Sequence, residues 1–138
     1  MPTLPRSKFS LLVRTDFTSD EAWQHLCAQA QQENGDGFRA YIEPVSDPDF
    51  DHATWIQVKA AVHGGRQEAA VPFVADSTTL TSPEHPVVVV DLLNGGPPFR
   101  CVPAKLWSVD NNLNIANMDW EEFAGSAGAD GIFRGFDG

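Results

Sequence analysis

Cationic side chains are scarce in this chain. Nine Lys and Arg stand against nineteen Asp and Glu, for a formal charge of -10. The nine are scattered, with no run of them anywhere, which argues against nucleic acid and anionic membranes as partners. Both need clustered Lys and Arg to neutralise phosphate. A basic protein partner, a small polar or cationic ligand, or plain solubility remains. Cysteine is scarce as well: Cys27 and Cys101 are far apart, neither belongs to a Cys-x-x-Cys pair, and each lies among apolar neighbours. They are expected as buried thiols rather than a disulfide. No apolar run approaches the roughly 20 residues that cross a bilayer. The segment from Met1 to Lys8 is not followed by a signal-type apolar core, so a cytoplasmic protein is expected. Reaction motifs are missing too. There is no His-Glu-x-x-His helix, no Cys/His zinc spacing, no Gly-x-Ser-x-Gly elbow and no phosphate loop, and Gly64-Gly65 and Gly95-Gly96 read as turns. No cofactor is implied.

What is present is a globular composition, 42% hydrophobic and 20% charged over 138 residues, enough for one self-sufficient core. Residues 1–8 read as a loose lead-in and residues 9–138 as a single α/β domain. Strands are expected at Phe9 to Thr15, Phe38 to Ile42, Val71 to Ala75 and Val87 to Leu92, with Phe99 to Val102 returning as a hairpin partner. The Val87 run is β-branched throughout, as in a strand buried on both faces. A first helix is expected to start at a capping box from Thr18 to Glu21 and to bury Trp23, Leu26, Cys27 and Ala30. A second runs from Ala53 to Val62 with Trp55 in the core. Pro103 opens a short helix carrying Leu106 and Trp107, and Trp120 and Phe123 share the apolar face of a last one. The expected fold class is α/β: a mixed, mostly parallel four- to five-stranded sheet flanked by helices.

Acidic residues close the apolar stretches: Asp16, Glu43, Asp76 and Asp91 each follow one. At a shared sheet rim, where open α/β sheets bind ligands, they form a candidate site for Mg²⁺, Ca²⁺ or a cationic group. Asp91 joins only if its strand runs parallel to the third. The alternative is that each caps local backbone, for which Asp76 before Ser77-Thr78-Thr79 is well suited, or pairs with a neighbour, as Arg14 is placed to do with Asp16. His85, after Glu84 and near Asp76, is a candidate general acid or base. A second candidate is a recognition loop of Asn111, Asn112, Asn114 and Asn117 with Trp107 beside it. Asn side chains both donate and accept, and Trp is a strong contact residue. The same residues can instead satisfy an irregular, partly buried loop.

A resemblance runs through the chain in the segments Leu11-Leu12-Val13-Arg14-Thr15-Asp16-Phe17, Phe38-Arg39-Ala40-Tyr41-Ile42-Glu43-Pro44-Val45 and Phe73-Val74-Ala75-Asp76-Ser77-Thr78-Thr79-Leu80. It continues in Leu106-Trp107-Ser108-Val109, Asn111-Asn112-Leu113, Ile115-Ala116-Asn117-Met118-Asp119 and Phe133-Arg134-Gly135-Phe136. In this order they resemble a family of small acidic, mainly actinobacterial proteins catalogued as a domain of unknown function. The resemblance implies a bacterial, single-domain, intracellular protein and brings no catalytic residue with it. The functional expectation is a non-catalytic acidic protein-binding or accessory module, of the toxin-neutralising kind. The alternative is a small enzyme or ligand-binding domain with an acidic, divalent-cation site at the sheet rim.

Overall fold

The computed structural model describes Leu4 and residues 9–61, 72–91, 97–114 and 120–135, with side chains in 97–114 described through Asn111. Six strands form one sheet: β1 (Ser10–Arg14), β2 (Ile42–Val45), β3 (Pro72–Ala75), β4 (Val87–Val89), β5 (Phe99–Cys101) and β6 (Ile132–Phe133). Among the described residues five α-helices accompany them: α1 (Asp20–Ala30), α2 (Trp55–Ala60), α3 (Ser77–Thr81), α4 (Leu106–Asn114) and α5 (Trp120–Ala124). The strand order is β2-β1-β3-β4-β5-β6. β1 runs parallel to β2 and β3, β4 is antiparallel to both its neighbours, and β6 is parallel to β5. The fold is thus a mixed α/β sheet as expected, with six strands rather than four or five. The extra one forms where the tail around Phe133 docks along β5.

Strand alternation divides the core into two layers. Leu12, Ile42, Phe73, Val87, Val89, Phe99, Cys101 and Phe133 pack against Trp23 and Leu26 of α1, Leu106 and Val109 of α4, and Trp120 and Phe123 of α5. Leu11, Val13, Val74 and Val88 face the other way, onto Leu4, Phe50, Ala53 and Val58 of α2. Residues on one strand therefore serve both layers, and β1 and β4 are buried along their whole lengths. Trp55, expected in the core, is only partly buried at the edge of the second layer, where it opens α2 beside the N-cap Thr54.

Several boundaries differ from the sequence expectation, each for a local reason. α1 begins one residue later than a Thr18 cap would place it. Asp16 Oδ1 accepts from both the Thr18 N–H and its hydroxyl, so Ser19 caps the helix by accepting from Ala22 N–H. β2 begins at Ile42 rather than Phe38. Asn34 Oδ1 accepts from the Asp36 and Phe38 N–H groups, and Asn34 N–H donates to the Phe38 carbonyl, which closes that stretch as a loop. The Tyr41 N–H is taken by Asp110 Oδ2 at 3.0 Å. The Asn-rich stretch from Asn111 to Asn114 is not a loop but the end of α4, which follows a short 3-10 turn begun by Pro103.

Asp110 is 2% exposed, and its other oxygen accepts from the Ser10 hydroxyl. One buried carboxylate thus ties the start of β1, the approach to β2 and α4 together. Removing it strands buried donors, so Asp110→Ala is expected to cost about 2–4 kcal/mol. Urea unfolding measures this. Ser10→Ala, which removes a single donor, is expected to cost less than half as much.

Candidate functional site

The order β2-β1-β3 reverses direction at β1, so a topological switch point lies between the carboxyl ends of β1 and β3. Asp16 follows β1 and Asp76 follows β3. Both line an open hollow of about 380 Å³ there, together with Thr15, Thr18, His52 and Ser77. These two of the rim carboxylates are therefore brought together. Glu43 is not: with the strand starting at Ile42, it sits inside β2 opposite Leu11 rather than at the strand's end. Asp91 is not either. β4 is antiparallel to β3, and Val90 N–H bonds the Pro72 carbonyl, so the buried Asp91 lies at the other end of the sheet.

Both rim carboxylates already have partners. Asp16 Oδ1 holds Thr18, as above. Arg14 does not pair with the Asp16 carboxylate. Its guanidinium donates to the Asp16 backbone carbonyl and to Asp20 at 2.8 Å, and it covers the rings of Phe17 and Trp23. Asp76 is the N-cap of α3, accepting from Thr79 N–H at 3.0 Å, while Thr79 Oγ1 accepts from the Asp76 N–H in a reciprocal box. Arg100 of β5 then donates to both Asp76 oxygens, at 3.0 and 2.8 Å. Burial alone would raise the Asp76 carboxyl. The Arg100 and Thr79 hydrogen bonds and the Arg100 charge outweigh it and hold the group below the usual carboxylate range. The Asp76–Arg100 pair also forms one wall of a larger cleft of about 500 Å³ over β3, β4 and β5, bounded by Trp55, Val88, Phe99 and Asp130.

Glu84 and His85 are neighbours in sequence but part in space. Glu84 takes a two-pronged bond from Arg134, at 2.7 and 2.9 Å, and Arg134 also reaches Asp130 at 2.7 Å. These bonds lower the Glu84 and Asp130 carboxyls. His85 turns away from the hollow, toward α1, and does not line it with Asp16 and Asp76. Both cysteines are free thiols. Burial pushes Cys27 up to about 11, and raises the more deeply buried Cys101 as well, so neither is a poised nucleophile.

The other candidate set lies at the β2 end of the sheet. Trp107 of α4 stacks on Phe38 with centroids 5.0 Å apart and planes at 10°. Phe9 stacks on Tyr41 at 6.2 Å, and the Arg39 guanidinium lies 5.1 Å over the Tyr41 ring. Phe9, Phe38 and Tyr41 are 38%, 49% and 51% exposed, and Trp107 is half-buried. Asp110 organises this corner, because its two oxygens hold Ser10, next to Phe9, and Tyr41, while its helix carries Trp107 one turn earlier. Asn111 is half-buried on α4, at i+4 from Trp107. The side chains of Asn112 and Asn114, and all of Asn117, lie outside the described residues. Trp107 and Asn111 belong to the recognition segment that the sequence offers as a candidate. Phe9, Phe38 and Tyr41 are not among the sequence candidates, because the sequence assigns them to strands, whereas β1 begins only at Ser10 and β2 at Ile42.

The Asp76–Arg100 pair generates a signed pH dependence. The Asp76 carboxyl is held lower in the folded chain than in the unfolded one. Its contribution is therefore complete above the ordinary carboxylate range of about 4 and is lost as pH falls through the folded value. At neutral pH Arg100→Leu is expected to cost about 1–2 kcal/mol, less than for a fully buried pair, since 26% and 31% of the two side chains remain exposed. The stability gap between wild type and variant, followed by tryptophan fluorescence in urea, is expected to shrink as pH is lowered below that range. A gap that stays constant would mean that the pair does not titrate as described.

No curated protein matches the chain. Over residues 9–136 the sequence matches the family described as a domain of unknown function, DUF6924, and the chain belongs to that family.

Proposed function

We propose that this protein is a non-catalytic binding module that docks a basic protein through the aromatic corner formed by Phe9, Phe38, Tyr41 and Trp107. The observation that carries the reading is the pair of exposed ring stacks pinned by Asp110 at the end of the sheet. Aromatic residues and Arg are the groups enriched at interface centres, and rigid rings lose little entropy on docking. The chain's charge of -10 favours a cationic partner. The Tyr41 ring already carries a guanidinium, that of Arg39, which is the contact a partner's Arg would make with the neighbouring rings. The free carboxyl-rich loop before β2, with exposed Glu33 and Asp36, lies on the same segment as Phe38. A toxin-neutralising or other accessory role, carried out inside the cell, fits such a surface.

The test compares capture of proteins from the source organism by wild type, Phe38→Ser and Trp107→Ala, with Asp76→Asn as a control at the rim. A basic protein is expected to bind wild type at low salt and to dissociate as salt is raised. Trp107→Ala is expected to weaken it at least about tenfold, the loss of one interface anchor. Equal capture by wild type and Trp107→Ala, or capture indifferent to salt, overturns the reading.

One observation favours a second reading, a small-ligand or divalent-cation site that could serve an enzyme: Asp16 and Asp76 share the hollow at the switch point. Against it stands the use of both Asp76 oxygens by Arg100. Millimolar Mg²⁺ or Ca²⁺ is accordingly expected to leave the melting temperature unchanged. A rise that disappears in Asp16→Asn would favour this second site instead.

A further inference from the structure

His25 of α1 and His85, just before β4, meet outside the rim hollow, which neither of them lines. His25 Nδ1 and His85 Nε2 are 3.1 Å apart, with the rings edge to face. The other nitrogen of His85, Nδ1, is 2.9 Å from the Thr79 carbonyl oxygen. A carbonyl only accepts, so His85 Nδ1 carries a proton, and in the neutral ring Nε2 presents its lone pair toward His25. That arrangement, with one imidazole nitrogen bonded to a backbone carbonyl and the other left to ligate, is how metal-binding histidines are oriented. His85 is 7% exposed and sits at φ 48, in the left-handed region that a non-glycine residue adopts only when its surroundings hold it there. Its N–H bonds the Ser82 carbonyl, and its ring is anchored at Thr79, so its direction is fixed from both ends.

We propose that His25 Nδ1 and His85 Nε2 form a two-imidazole binding site for a late divalent transition metal such as Zn²⁺, Ni²⁺ or Cu²⁺. Metal–nitrogen bonds near 2.0–2.1 Å at a tetrahedral angle place two ligating nitrogens about 3.3 Å apart, close to the separation present. His25 is exposed, and the pair opens on a hollow of about 400 Å³ also lined by Ser19 and Glu21. Glu21 lies one turn before His25 on α1, so its carboxylate adds negative charge on the same side. Among the described residues no group of three or more His, Cys, Asp or Glu side chains is arranged to enclose a metal ion. The site is therefore open, with water completing the coordination. Imidazole donors select late transition metals over Mg²⁺ and Ca²⁺, which separates this site chemically from the carboxylate rim.

The test is calorimetric titration of the full chain with Zn²⁺ and with Ni²⁺, alongside Mg²⁺. One equivalent of Zn²⁺ is expected to bind, with a melting temperature that rises as metal is added and no response to Mg²⁺. His25→Ala removes an exposed ligand without touching the core, and is expected to weaken binding at least about tenfold, the loss of one of two ligands. Cys27→Ser, two residues further along α1, is expected to leave it unchanged, which excludes thiol capture. Nitrogen chemical shifts of the imidazoles supply a readout independent of affinity: Zn²⁺ should move His25 Nδ1 and His85 Nε2 and spare His52. Zn²⁺ that binds His25→Ala as tightly as wild type, or fails to bind wild type, overturns the proposal and leaves a hydrogen-bonded pair sharing one proton.

Discussion

A single buried carboxylate, that of Asp110, holds the β2 end of the sheet in shape. It bonds the Ser10 hydroxyl at the start of β1 and the Tyr41 N–H before β2, from a helix on the first-layer face of the sheet. Each contact also sets where an aromatic side chain goes. Ser10 places Phe9, the Tyr41 amide places Tyr41, and α4 brings Trp107 against Phe38. A neutral residue of similar size would leave two donors without a strong acceptor in a dry environment, where such a loss is costly. The buried group is tolerated because each of its oxygens accepts a hydrogen bond, as buried polar groups generally must.

Asp76 plays a similar part at the other functional candidate. It ends β3, caps α3 and grips Arg100 across β4. The short helix and the turn after it return the chain at once to the neighbouring position, which makes β4 antiparallel. A parallel β4 would have needed a crossover of a dozen or more residues. That reversal separates Asp91 from the other rim acids. At the sheet Asp16, Asp76 and Asp110 thus serve the architecture, while carboxylates such as Glu33 and Asp36 remain at the surface.

The physics of the fold was legible where it is local. The β-branched run from Val87 identified a strand buried on both faces, and the 3.6-residue spacing of Trp23, Leu26 and Ala30 identified the buried side of α1. The cap at Asp76 could be read from the three hydroxyl residues after it. What escaped depends on partners distant in sequence. The start of β2 is set by Asp110, 69 residues from Tyr41, so no pattern around Phe38 announces it. Glu84 and His85 looked like a unit, yet Arg134 draws one away and His25 the other, from 50 and 60 residues off. The rim was half legible for the same reason: strand ends could be guessed from composition, but strand direction could not.

The placement of β1 has a consequence for how the chain is made. β1 lies between β2 and β3, and its Leu11 faces Pro72 of β3. During synthesis one flank of this wholly buried strand stays bare until the ribosome has emitted β3. Non-local pairings of this kind are slow to close, and uncovered strands at that stage are prone to aggregate. Nascent chains of this protein should therefore lean on chaperones early, and destabilising changes in β3 should show themselves first as poor yield.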